Sequence, residues 1–467
     1  MPNSVAYAAL LIWPFVTLAI FASMKPQRAV IWSLLAGYLL LPVKTSFDFP
    51  GVPAIDKTTV ANLSTFLIAL AYTGGKSAKP PKEWWLILLI FAYLSSPVFT
   101  SLNNRDFLMF GDVILPGLTL YDAFSESAYL AIDLMPFVLG YNLLRSPSGQ
   151  HSFLKALALS AVAYSFPMLM EIRLSPQLNT WIYGFFPHSF GQQVRGDGFR
   201  PVVFLGHGLI VAIFTAMGIA ALAYLSRRRQ TLHGVPSWIW LTYLFVVIIL
   251  CKSLGALILA SLAGLAICFA NRRTLQISCA CAAILVLVYP ALRGSDLVPV
   301  QALASQVAQL NEERADSFKV RIDNEDRLLA RANARPWFGW GGYGRNRIFD
   351  EDTGKDLSVT DGAWVIAVGV HGWVGYIAVF GILCLPVILS SRRSANAPFS
   401  QVATIVVLSV NLLDLLPNSS IGPLTWLMAG AVMPLAIKGN RLQPKRSRVL
   451  MGRTQHRIVR SPPETLN

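Results

Sequence analysis

Apolar runs of nearly membrane-span length recur from one end of the chain to the other. Examples are 9-ALLIWPFVTLAIFA-22, 240-WLTYLFVVIIL-250 and 402-VATIVVLSV-410, most of them set in stretches near the roughly 20 residues a spanning helix needs. In a bilayer core each backbone N–H and C=O must be satisfied within its own segment or a closed barrel, so uninterrupted runs of this kind fold as helices. Composition agrees: 54% of residues are hydrophobic and 13% charged, where soluble proteins carry about 25% charged residues. The chain therefore reads as an all-α, polytopic membrane protein whose single bundle uses all 467 residues. No basic segment precedes the first run, so the N-terminus reads as a first span and not as a cleavable signal. The cysteines (Cys251, Cys268, Cys279, Cys281, Cys384) fall in or beside apolar spans and fit neither a disulfide framework nor a zinc pattern.

The net charge of +15 is distributed as a membrane protein's, and nucleic acid is not an expected partner. Basic clusters sit between apolar runs: Lys25 and Arg28; Lys76, Lys79 and Lys82; Arg145; 227-RRR-229; 272-RR-273; 392-RR-393; and a basic tail from 438 to 460. They alternate with connections poorer in Lys and Arg, as the positive-inside rule demands. Spans placed between them are 5–23, 29–43, 58–73, 84–100, 127–144, 153–171, 201–225, 237–251, 254–270, 275–292, 362–390, 400–416 and 423–438. That is about 12–14 helices by a ~19-residue window, with the N-terminus outside and the C-terminus in the cytoplasm. The chain divides into a bundle over 1–292 with an outer loop at 172–200, a large outer loop at 293–360, last spans over 361–438 and a basic cytoplasmic tail over 439–467.

Two outward connections break the charge rule. The first, 172–200, carries Arg173, Arg195 and Arg200; the second, 293–360, holds eight arginines against two lysines. Arginine's fixed planar fork suits bidentate binding of phosphate or carboxylate. The second loop also holds eleven acidic residues, so local pairing competes for these arginines. Residues 297–333 read as amphipathic helices, with Leu303, Val307 and Leu310 at helical spacing, then Phe318, Ile322, Leu328 and Leu329. Arg314, Ser317 and Arg321 share a stripe, and Glu325, four residues past Arg321, is placed to orient it. Pro336 ends the helix, and 339-GWGGYG-344 makes a turn whose glycines permit positive φ and close approach of another group.

Four stretches, in order, resemble the O-antigen polymerase and ligase superfamily of bacterial envelope proteins. They are 195-RGDGFRPVVFLGHGL-209; 252-KSLGALILASLAG-264, similar to the family's Ser-Arg-Gly-Ala opening of a short helix, though here Lys precedes Ser; 313-ERADSFKVRIDNEDRLLARANARPWFGWGGYG-344, with its Ser-x-x-x-Arg helix before a Pro and Gly turn; and 359-VTDGAWVIAVGVHGWVGYIAVFG-381. The resemblance covers the second half of the chain; the first half matches in hydropathy alone. It implies a GT-C-like membrane glycosyltransferase that uses a polyprenyl-diphosphate-linked oligosaccharide as donor and acceptor, with no cofactor and no metal. Partners implied are the lipid bilayer, a chain-length regulator and a flippase.

The residues fit that chemistry. A lipid diphosphate leaves with growing negative charge, which preplaced arginines stabilise, and an acceptor hydroxyl needs a base within hydrogen-bond reach. Arg195, Arg200, Arg314 and Arg321 are the diphosphate candidates; Asp361 and His371 are the candidate bases. Trp337, Trp340, Tyr343 and Arg345 are candidates for the glycan, against an interfacial aromatic belt as the plainer cause of the aromatics. Asp361 also reads as one of two candidates, with Thr360, for the N-cap of the next helix. The ligase branch has a His at this point, so Asp361 favours polymerase over ligase. A flippase for the same lipid-linked saccharide is the rival of another class, but transporters carry internal repeats and midplane charges, and no repeat stands out here.

Overall fold

The computed structural model describes residues 1–49, 53–196, 198–295, 312–393 and 397–438. The expected helix around Leu303, Val307 and Leu310, and the basic tail, lie outside these residues, as does the side chain of Arg314.

Helices dominate. In chain order they are α1 (Ser4–Ser23), α2 (Pro26–Leu40), α3 (Lys57–Thr73), α4 (Trp84–Leu102), α5 (Leu120–Leu143), α6 (Pro147–Leu174), α7 (Leu178–Tyr183), α8 (Gly208–Arg227), α9 (Ser237–Leu250), α10 (Leu254–Phe269) and α11 (Arg272–Gly294). After them come α12 (Glu312–Asn333), α13 (Ala363–Arg393), α14 (Phe399–Asp414) and α15 (Pro423–Lys438). Strands among the described residues are confined to four two-stranded antiparallel hairpins in the connections. Every one of the thirteen apolar windows falls on a helix. Six helices (α1, α4, α6, α8, α11 and α13) are long and apolar enough to cross a membrane, and the chain is an all-α polytopic membrane protein.

The bundle is apolar outside as well as in its core. Its centre is α8, with 89% of its most apolar window buried, while α1 buries 28% and turns Leu11, Ile12 and Phe15 outward. Such an apolar exterior is what lipid contact requires. Small residues let helices cross closely, as expected where no hydrophobic effect drives association. A Cβ on Gly140 of α5 would meet the Leu427 carbonyl, and one on Gly430 of α15 would meet the Phe137 carbonyl.

One window departs from expectation. Residues 201–207 were expected to open the helix that follows, yet α8 begins at Gly208. The buried carboxylate of Glu171 on α6 accepts from the backbone N–H groups of Val202 (2.7 Å) and Val203 (2.8 Å), and Tyr164 Oη accepts from Phe204 N–H (3.0 Å). These side chains take the backbone N–H groups of the segment, which then needs no helical partners.

The connections gather at two ends. At one, Asn142 bonds to the Ser77 and Lys79 carbonyls, Gln401 to the Arg145 carbonyl, Arg227 to the Ala270 carbonyl and Arg272 to the Ala397 carbonyl. The basic clusters at 76–82, 145, 227–229, 272–273 and 392–393 thus share this end. At the other, Asn3 meets Tyr183, Tyr183 meets Leu40, Lys57 meets Phe204, and Arg335 meets Asn103.

Candidate functional site

The site grows from a small hairpin at that second end. Val194–Arg195 pairs with Gly198–Phe199 across a turn where Gly196 takes φ +56°. Lys252, at the α9–α10 turn, clamps it: its Nζ donates to the Arg195 carbonyl (2.8 Å), and its own carbonyl accepts from Arg200 Nε (3.3 Å) and Nη2 (3.0 Å). Lys252 is therefore a structural partner of the arginine hairpin.

Arg321 reaches the same place from α12. Leu328, Leu329 and Ala332 bury the apolar face of that helix, and Arg321 Nε lies 3.4 Å from Asp361 Oδ2, both side chains being roughly two-fifths exposed at 42% and 36%. Glu325, expected to orient Arg321, turns instead to α11, where Tyr289 Oη donates to it at 3.4 Å and Arg293 Nε lies 3.9 Å away. The orienting carboxylate is Asp361. Nor does Asp361 cap a helix, since α13 starts at Ala363, whose N–H bonds the Leu415 and Asn418 carbonyls at 3.0 Å each.

Arg195, Arg200, Arg321 and Arg347 line one cavity of about 650 Å³, together with Asp361. Arg347 is paired with Asp356 at 2.7 Å, whereas among the described residues Arg195 and Arg200 have no carboxylate partner. The crowding of cations is felt by its members. Burial, then Arg195 and Arg321, pull the Arg200 guanidinium down to about 10. Burial, then His188 and the arginines, bring His207 down to about 4. His207 is thus neutral near pH 7, and its Nδ1 accepts from Leu209 N–H (3.0 Å), which puts the proton on Nε2. A cavity with this surplus of fixed donors is built for an anion.

The glycine turn answers a structural need. Gly339, Gly341 and Gly344 all have positive φ, and α13 is kinked at Gly372 (φ +69°, ψ −174°). Turn and kink dock backbone to backbone: Trp340 N–H donates to the Gly369 carbonyl (2.8 Å), Gly341 N–H to Val370 (2.9 Å), and Trp373 N–H to Pro336 (2.7 Å). A Cβ on Gly339 would come within 2.6 Å of the Gly372 nitrogen, which leaves glycine as the fitting residue. Thr100 and Asn104 of the α4 end bond the Phe338 and Gly339 carbonyls at 2.6 and 2.9 Å. The arginine-bearing helix is thereby fixed to the bundle.

The remaining candidates lie elsewhere. Trp340 is buried, with Arg331 stacked 3.6 Å and Arg335 4.3 Å from its ring centroid. Arg345 is fully buried, donating to the Pro116 carbonyl at 2.8 Å and lying 3.6 Å from Asp106. Both hold the turn together and have no exposed surface to offer a sugar. Trp337 and Tyr343 are exposed but do not line the arginine cavity. His371 lines a separate cavity of about 150 Å³ with Tyr343, its Nε2 3.7 Å from Glu126, so the structure brings Asp361, and not His371, to the arginines. No three His, Cys, Asp or Glu side chains among the described residues gather as metal ligands would. Sequence reasoning missed His188 and the polar connection between α14 and α15, whose Asn418, Ser419 and Ser420 line the arginine cavity beside Asp414. Their one signal was a run of small polar residues, 418-NSS-420, between two apolar helices.

Compared with known proteins, the chain matches no family model and no curated protein.

Proposed function

We propose that this chain is a membrane glycosyltransferase that polymerises polyprenyl-diphosphate-linked oligosaccharide repeat units on the outer side of the bacterial inner membrane. The observation that carries the reading is the convergence of Arg195, Arg200 and Arg321, from two separate connections, on one cavity beside Asp361. A diphosphate needs cationic donors from more than one side, and a hairpin and a helix supply them.

In this reading the thirteen apolar helices span the membrane as a GT-C-like bundle of the O-antigen polymerase and ligase type. The separation of basic clusters from the arginine cavity, at opposite ends of the bundle, supports an outer cavity at headgroup level and a cytoplasmic C-terminus. The acceptor hydroxyl oxygen attacks the anomeric carbon of the donor glycan, and the bond from that carbon to the diphosphate oxygen breaks. The electron pair leaves on the polyprenyl diphosphate, and the hydroxyl proton passes to the Asp361 carboxylate. Arg200, Arg321 and Arg347 stabilise the departing charge without reorganising, Arg200 being held in advance by the Lys252 carbonyl, Arg321 by Asp361 and Arg347 by Asp356. Nε of Arg321 faces Asp361, and the two Nη groups have no partner among the described residues, which suits bidentate contact with phosphate. Asp361, where the ligase branch carries His, supports polymerase over ligase.

The test is the glycan made by a deletion strain. Loss of long chains with single repeat units retained is the expected result. Polymer left on its lipid carrier and never joined to lipid A–core would make the chain a ligase, and repeat units trapped facing the cytoplasm would make it a flippase.

A further inference from the structure

The arginine cavity has a second kind of wall. Asp414, at the end of α14, is 6% exposed and yet lines the cavity with Asn418, Ser419 and Ser420. Asn418 Nδ2 donates to Asp414 Oδ1 at 2.8 Å and Ser420 Oγ to Asp414 Oδ2 at 3.1 Å. A carboxylate has about four acceptor sites, so these bonds fix Asp414 without exhausting it. The segment is tied to the reacting centre through its backbone, because the Leu415 and Asn418 carbonyls accept from Ala363 N–H, two residues after Asp361. Asp361 therefore joins two surfaces: a cationic one through Arg321, and one made of a carboxylate, an amide and hydroxyls.

These two surfaces suit different parts of one ligand. Phosphate oxygens only accept hydrogen bonds and carry charge, so they match guanidinium groups and are repelled by Asp414. Sugar hydroxyls both donate and accept, and match a fixed carboxylate with neighbouring amide and hydroxyl groups. We infer that Asp414, Asn418, Ser419 and Ser420 form the subsite for the sugar unit next to the diphosphate, and that this unit is a neutral, hydroxyl-bearing sugar. The inference rests on the proposed reading of the arginines as the diphosphate site. A buried carboxylate at this point works against an acidic sugar as well as for a neutral one, since an unpaired like charge would have to be desolvated beside it.

The test uses the full-length protein in lipid nanodiscs and two main probes, a polyprenyl diphosphate without sugar and the same lipid diphosphate carrying one N-acetylhexosamine, with a third carrying a uronic acid for Asp414. The wild type is expected to bind the sugar-bearing probe more tightly. Asn418→Ala and the exposed, fold-neutral Ser419→Ala are expected to weaken binding of that probe by roughly tenfold or more while leaving the sugar-free probe unchanged, a loss of the size expected for hydrogen bonds to polar and charged groups. Asp414→Asn is expected to narrow the discrimination against a lipid diphosphate carrying a uronic acid. Variants that bind both probes as the wild type does, or that lose both equally, overturn the sugar subsite and leave the arginine site standing. A wild type that binds neither probe overturns the reading of the arginines and the subsite together.

Discussion

Arg321 and Asp361 stand side by side, guanidinium Nε 3.4 Å from carboxylate Oδ2, although one lies on α12 and the other precedes the longest apolar helix, α13. The residue assigned to the departing phosphate thus positions the residue assigned to the proton. Asp361→Asn keeps an acceptor oxygen for Arg321 and removes the proton acceptor. Polymer formation should fall by roughly 10²–10⁴-fold while the protein still accumulates in the membrane. Near-normal chains from this variant would assign Asp361 to positioning Arg321 alone.

The docking of the glycine turn onto the kinked helix has its own test. Gly372 has φ +69° and ψ −174°, and a Cβ there would meet the Trp337 carbonyl. Gly372→Ala should cost about 1–3 kcal/mol in backbone strain, with overlap added, and should lower both the melting temperature and polymer formation. Gly342→Ala, where a Cβ meets nothing within 4 Å, is the matched control and should change neither. Equal melting temperatures for the two variants would contradict the docking.

Helix α12 should report on pH. Burial pushes the Glu325 carboxyl up to about 7, against the pull of Arg293 and Tyr289. A carboxyl raised above its ordinary value of 4.5 favours the fold when protonated. Its contribution is full below that value and is lost as pH rises through about 7. Thermal stability of the wild type should therefore drop between pH 5 and 8 by more than that of Glu325→Gln. Parallel curves for the two proteins would mean that Glu325 is not held in this way.

Much of this fold was legible because its signals are local. Apolar length fixed the helices, and the spacing of basic clusters anticipated the two ends. The excess of arginine over lysine in two connections pointed to the cavity that Arg195, Arg200 and Arg321 share. What stayed hidden depends on distant partners. Residues 201–207 look helical until Glu171, on another helix, takes their N–H groups. Glu325 is well spaced to pair with Arg321, but Arg293 and Tyr289 on α11 engage it instead. Trp340 and Arg345 resemble ligand-binding residues by type and place, and only packing against Arg331, Pro116 and Asp106 reveals them as the inside of a turn. The Asn418 cluster carried no charge to draw notice.

Orientation is tested by labelling intact cells with a membrane-impermeant maleimide, in a background where the exposed Cys281 is replaced. Glu351→Cys, exposed at the cavity end, should label from outside, and Lys79→Cys, at the basic end, should not. The reverse pattern would put the arginine cavity in the cytoplasm and remove the proposed reaction from its lipid-linked substrate.

The central claim is that Arg321 grips a leaving diphosphate, and the most direct measurement is glycan transfer by purified protein in liposomes. The substrate is a polyprenyl-diphosphate-linked oligosaccharide, and free polyprenyl diphosphate and lengthened glycan are followed together. The wild type should release one lipid diphosphate for each repeat unit joined. Arg321→Lys keeps the charge and loses the fork, so its rate should fall by about a hundredfold, the loss typical of one transition-state donor. No transfer by the wild type, or an Arg321→Lys rate equal to it, would contradict the account.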